Sequence, residues 1–159
     1  MKGESRPFSA VTPLPDMPDT EALGARIARG LGRGETVALQ GDLGAGKTTL
    51  ARAILRSLGV SEDVPSPTFT LVQSYETDAF PVRHFDLYRI EDEEELDELG
   101  FDEAVDEGVV LVEWPERAPH RIPADALHVD LSVNGTGMRE AKLSGPQHWN
   151  RIFENANAG

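Results

Sequence analysis

Apolar positions along the chain recur with two periods in turn, one helical and one suited to strands, and that alternation predicts a layered α/β protein. Over residues 19–31, Leu23, Ile27 and Leu31 stand four apart on one helical face, with Asp19 or Thr20 available as N-cap and Glu21 in the first turn. Gly30, Gly32 and Gly34 end that helix, and the short apolar run 35–40 reads as a strand buried on both faces. Helical spacing returns after residue 47, where Leu50, Ile54, Leu55 and Leu58 share a face and Gly59 marks the stop. Residues 61–68 read as a surface loop because Pro65 and Pro67 turn their predecessors away from helix. Two aromatic and β-branched runs, 69–75 and 82–88, read as strands joined by a turn at 77–81. Residues 91–107 fit one or two short helices broken at Gly100, and 109–112 is a compact apolar strand leading into Glu113, Trp114 and Pro115. Weaker strands at 127–133 and 140–143 flank a turn at 134–137, and a last helix spans about 147–156 with Trp149 and Phe153 on its apolar face.

Between the first strand and the second helix lies the segment that carries chemistry. Gly41, Asp42, Leu43, Gly44, Ala45, Gly46, Lys47 and Thr48 match G-x-x-x-x-G-K-[ST] in full, and Thr49 follows inside the helix. Such a loop needs glycines so that backbone N–H groups can close on phosphate oxygens, and it needs a helix N-terminus because the free amides and dipole there favour anions. Lys47 is placed to reach the β- and γ-phosphates and Thr48 to offer its hydroxyl to Mg²⁺. A carboxylate near the metal is also required, usually at the end of an apolar strand. Glu113 closes the run VVLVE and Asp86 ends the strand in HFDLYR; a parallel-type sheet would bring both to the edge where the loop opens. Each also has an ordinary reading, Glu113 as a surface acid and Asp86 as the ion-pair partner of Arg83 or Arg89. A guanine-reading [NT]-K-x-D motif is excluded because the lysines are Lys2, Lys47 and Lys142, so ATP is the expected nucleotide. The hydroxyl-rich loop 66–70 could sense the γ-phosphate through a threonine or be a plain turn.

Composition narrows the class. At 159 residues the chain has room for one domain, 1–159, with 1–12 open to disorder as a lead-in and 147–159 forming a C-terminal helix or tail. With 39% hydrophobic and 27% charged residues it has the make-up of a globular chain, and with no cysteine it can use neither disulfides nor thiolate chemistry. No apolar stretch approaches the roughly 20 residues that span a bilayer, and the N-terminus has no apolar signal region, so a cytoplasmic location is expected. The formal charge of −13 argues against a broad phosphate-gripping nucleic-acid face. Eleven of the 28 acids fall within 91–107, which holds no base, leaving 17 acids against 15 bases elsewhere. That run is either a solvated helical face or a docking surface for a basic partner. The histidines His84, His120, His128 and His148 show no metal-binding spacing. His84 reads as structural in its strand, and Tyr88 as packing. From the residues alone a regulatory ATPase, a small P-loop kinase and a non-hydrolysing nucleotide-dependent adaptor all stay open, although no acceptor pocket or arginine-bearing lid is evident.

The ordered blocks GDLGAGKTTLARAIL, SPTFTLVQSY, HFDLYR, EEELDELGF and LVEWPE resemble the bacterial TsaE (YjeE) family, small ATPases of tRNA threonylcarbamoyladenosine biosynthesis. This resemblance implies a three-layer P-loop NTPase-like fold with a central, largely parallel (mixed) sheet flanked by helices. It implies a weak Mg²⁺-dependent ATPase acting with two proteins, the threonylcarbamoyl-transferring subunit and its catalytically silent paralogue, with tRNA contacted indirectly. By the same resemblance Thr48, Asp86 and Glu113 serve Mg²⁺ and hydrolysis, with Lys47 in the phosphate loop. Thr68 belongs to a switch-like loop, Trp114 lies beside the nucleotide, and residues around Met17 to Thr20 contact the base.

Overall fold

The computed structural model describes residues 7–42, 45–60 and 71–158. Its centre is a seven-stranded sheet in the order β1 (Phe8–Pro13), β7 (Arg139–Gly145), β6 (Leu127–Val133), β2 (Thr36–Gly41), β5 (Val109–Glu113), β4 (Pro81–Asp86), β3 (Val72–Glu76). The contacts β6–β2, β2–β5 and β5–β4 are parallel, whereas β7 and β3 run against their neighbours. β1 pairs antiparallel with β7 and so regains the common direction, making a mixed sheet with five of its strands aligned. Helices cover both faces, giving the three-layer α/β architecture expected from sequence.

Strand alternation divides the interior into two cores. On one face Val37, Leu39, Val109 and Leu111 pack with Leu23 and Ile27 of α1 (Met17–Arg29), with Leu50, Ile54 and Leu55 of α2 (Lys47–Ser57), and with Trp149 and Phe153 of α5 (Trp149–Ala158). On the other face Phe85, Val110 and Val112 pack with Leu96 of α3 (Glu95–Glu98) and with Phe101 and Ala104 of α4 (Phe101–Glu107). Every residue of β5 is buried, as expected of a strand covered on both sides.

Local signals fix the element ends. Gly59 takes φ +100° after α2; its N–H donates to Arg56 O and the Val60 N–H to Leu55 O, the paired bonds of a Schellman stop. Gly100, at φ +72°, separates α3 from α4, where the sequence expects the break. Two expectations need correction. α1 begins at Met17 with Asp16 as N-cap, earlier than the caps expected at Asp19 or Thr20. Pro18, which looks like loop punctuation, sits in the first turn, where its missing N–H costs nothing, and the Asp19 carboxylate accepts the Asp16 N–H at 3.1 Å. Residues 8–12, expected within a lead-in open to disorder, belong to β1. That strand ends in Pro13, which an edge position tolerates, and Phe8 is buried against Phe153 at 4.9 Å between ring centroids.

Candidate functional site at the carboxyl ends of β2, β4 and β5

β2 delivers the glycine loop to the N-terminus of α2. Gly41 closes the strand so near β6 that a Cβ would stand 2.5 Å from Leu131 O, and Gly46 caps α2 in the left-handed region at φ +105°. Leu43 and Gly44 lie outside the described residues. The Lys47 ammonium turns back into the loop, donating to Gly41 O at 2.5 Å and Asp42 O at 3.0 Å, and lies 4.0 Å from the centre of the Trp114 ring. Burial lowers its pKa, against the pull of Glu113, Glu116, Asp86 and Asp42.

Thr48, on the same turn of α2, donates its hydroxyl between the two oxygens of Glu113, 3.1 and 3.0 Å away. A threonine hydroxyl has one proton, so this bond leaves its lone pairs free to face a hard cation. Asp86 is the register partner of Glu113 across β4 and β5, and burial raises its pKa, helped by the Glu113 charge and opposed by the Tyr88 N–H that donates to Oδ1 at 3.0 Å. Among the described residues no cluster of three His, Asp or Glu forms a protein-only metal cage. One hydroxyl and two nearby carboxylates fit Mg²⁺, which keeps waters and shares phosphate oxygens instead of demanding such a cage.

Beside the loop opens a cavity of about 480 Å³ lined by Met17 and Thr20 of α1, by Ala45, Gly46 and Thr49, and by the β6–β7 hairpin at Thr136–Arg139. Met17 and Thr20 are the residues that the family resemblance offers for the base; the sequence predicts the hairpin itself but not its place beside the loop. Its turn chemistry is legible, with Asn134 Oδ1 accepting from the N–H groups of Thr136 and Met138. Only the pairing of β6 with β2 carries that turn to the glycine loop.

Trp114 is the one non-glycine residue among those described with positive φ, at +61°. A left-handed tryptophan costs of order 1–3 kcal/mol, and the kink lays its ring between the Lys47 ammonium and Tyr88, whose ring centroid is 4.8 Å away. Arg83 does not join the site; it pairs with Glu107 at 3.1 Å. Thr68 lies outside the described residues. Sequence reasoning also misses the working contact of His84. This wholly buried residue has Nε2 2.6 Å from Glu113 Oε2. The available signal is parity: 84 and 86 on β4, like 111 and 113 on β5, point to one face once the two strands pair.

A sequence model of the family described as threonylcarbamoyl adenosine biosynthesis protein TsaE matches residues 14–141, a span holding the glycine loop, Asp86, Glu113 and most of the hairpin strands. The chain belongs to the TsaE family. It is 38% identical over 136 residues to the tRNA threonylcarbamoyladenosine biosynthesis protein TsaE of Nostoc sp., covering 82% of this chain and 83% of the relative. The protein of the same name from Rickettsia prowazekii is 40% identical over 116 residues, 72% of this chain and 81% of the relative. Among solved structures, Bacillus subtilis YdiB superposes with a TM-score of 0.79 at 25% identity over 98% of both chains. That likeness extends from β1 to α5, beyond the matched family region.

Proposed function

We propose that this TsaE-family chain binds ATP and hydrolyses it weakly, as an accessory protein for threonylcarbamoylation of the adenosine beside the anticodon in tRNAs that read codons beginning with A. It works in the cytoplasm with the threonylcarbamoyl-transferring subunit and that subunit's silent paralogue, and touches tRNA only through them. The observation that carries the nucleotide half of this reading is the Thr48 hydroxyl tied to Glu113 at the mouth of the glycine loop. The pathway half rests on family membership and on the names of the relatives.

In this reading the base enters the cavity beside Thr20 and the phosphates lie along the loop, where Lys47 exchanges the Gly41 and Asp42 carbonyls for β- and γ-oxygens. Thr48, Asp86 and Glu113 would hold Mg²⁺, and the cation would supply positive charge to offset the charge building on those oxygens. Asp86 orients the attacking water and takes its proton as the water oxygen bonds to the γ-phosphorus and the bond to ADP breaks. Thr68, which lies outside the described residues, is assigned to sensing the γ-phosphate by the family resemblance alone.

The test follows γ-labelled ATP with the purified protein, alone and with both partner proteins, comparing wild type with Lys47→Ala and Glu113→Ala. Labelled phosphate released by wild type and lost in both variants is expected. Label on a small-molecule acceptor would replace the ATPase with a kinase, and ATP-dependent association without hydrolysis would leave an adaptor.

A further inference from the structure

The histidine behind Glu113 has a geometry that an ordinary packed residue does not need. His84 is entirely enclosed, its Nε2 stands 2.6 Å from Glu113 Oε2, and its Nδ1 has no hydrogen-bond partner among the described residues. That pattern selects one form of the ring. A proton on Nδ1 would be a buried donor with no acceptor, a state costing about 1–3 kcal/mol, and a bare Nε2 would set its lone pair against a carboxylate oxygen. The neutral ring with its proton on Nε2 satisfies the short contact and leaves only an unfilled acceptor, the cheaper defect.

Glu113 has three rotatable bonds, and it is useful to Thr48 only when the carboxylate faces it. We propose that His84 is a positioning residue for nucleotide hydrolysis: its Nε2–H holds Glu113 against the Thr48 hydroxyl, keeping that proton engaged and the hydroxyl lone pairs turned outward to the cation. The inference rests on the hydrolytic reading given above. It differs from a structural role for His84 because it demands a donor at the Nε2 position and not merely a polar side chain of similar size.

The two amide substitutions separate these roles. In His84→Gln the side-chain nitrogen falls near the place of Nε2, whereas in His84→Asn it falls near Nδ1 and cannot reach Glu113. The expected result is a kcat within about threefold of wild type for Gln and about 10–100-fold lower for Asn, the usual range for losing a partner behind a ligand. The second readout needs no turnover: long-range ¹H–¹⁵N NMR of the nucleotide-free wild-type protein should show His84 neutral and protonated at Nε2, and Mg²⁺ should tighten ADP binding less in Asn than in Gln. Equal kcat in the two variants, or an Nδ1-protonated or doubly protonated ring, would overturn the proposal. A wild-type protein without ATPase activity would sink the hydrolytic reading, while the tautomer and the Mg²⁺ dependence of ADP affinity would still decide the role of His84.

Discussion

Gly24 is where the packing of the two helices that frame the site is most directly measurable. It lies buried in α1, and a Cβ built there would stand 2.5 Å from Ala53 Cβ, 2.9 Å from Ala53 C and 3.0 Å from Ile54 N on α2. Ordinary carbon contacts are about 3.5–4.0 Å, so Gly24→Ala must push α1 from α2 by roughly 1 Å, and two of the three obstructing atoms are backbone and cannot rotate away. Such overpacking costs about 1–3 kcal/mol. Alanine in a helix interior returns about 0.8–1 kcal/mol of propensity, so the net loss is about 1 kcal/mol, at most about 2. For 159 residues that lowers Tm by about 2–4 °C per kcal/mol. Gly32→Ala, with open space around it, is the control and should stay within about 0.5 kcal/mol of wild type. The displacement should also reach function, because Thr20, one turn before Gly24, lines the cavity opposite Thr49 of α2. Urea unfolding and thermal melts give the first number and titration with ADP the second; affinity should fall several-fold. A Gly24→Ala protein more stable than wild type would show propensity winning, and would refute the close approach of α1 and α2.

Two further substitutions test the electrostatics. Because burial raises the Asp86 pKa above 3.8, the folded chain holds that proton more tightly than the unfolded one, so stability falls as pH rises from the ordinary aspartate value through the raised one. Asp86→Asn should therefore stabilise the protein at neutral pH, with the gain vanishing below about pH 3.8, while hydrolysis drops by about 10²-fold or more; a gain independent of pH in urea unfolding would contradict the cause assigned to the shift. Arg121 reaches Asp97 at 2.6 Å, Asp102 at 3.1 Å and Glu93 O at 3.1 Å, tying α3 and α4 together. Its carboxylate partners are largely exposed, so Arg121→Met should cost only about 1 kcal/mol, and the deficit should shrink in 1 M salt as repulsion among the remaining acids is screened; a deficit unchanged by salt would mean packing, not charge, holds the pair.

The order of helices and strands and the glycine loop were legible because each is set by local period and turn chemistry. β1 was not. Ser9 and Val11 both face outward from it while Ala10 and Thr12 are half-covered, so its alternation is not one of polar against apolar. What makes it a strand is β7, which lies more than 120 residues later in the chain. The start of α1 is hidden because Pro18, which looks like loop punctuation, is a first-turn residue. The meeting of Thr48 with Glu113 was foreseeable from the motif, since the chemistry demands a carboxylate there. The His84 contact and the placement of the predicted hairpin beside the glycine loop were not, because each depends on which strand lies beside which, and strand order is a property of the whole sheet.

Sheet parity also decides how far the net charge of −13 reaches into the site. His84, Asp86 and Glu113 share the parity of Val82 and Leu111, which pack on the α1–α2 side, whereas α3 and α4, with most of the acids of 91–107, pack on Phe85, Val110 and Val112 across the sheet. Packed layers are about 10 Å apart, and the screening length at physiological salt is about 8 Å, so exposed acids on the far layer act weakly through it. The carboxylates that pull on Lys47 agree: Glu113, Glu116, Asp86 and Asp42, none of them from the acidic run. The phosphate loop thus sits in a local field set by its own strand ends, and the chain can carry a strongly negative face without repelling an anionic nucleotide. Reversing charges on α3 and α4 would alter what that face attracts while leaving the loop's hold on phosphate unchanged.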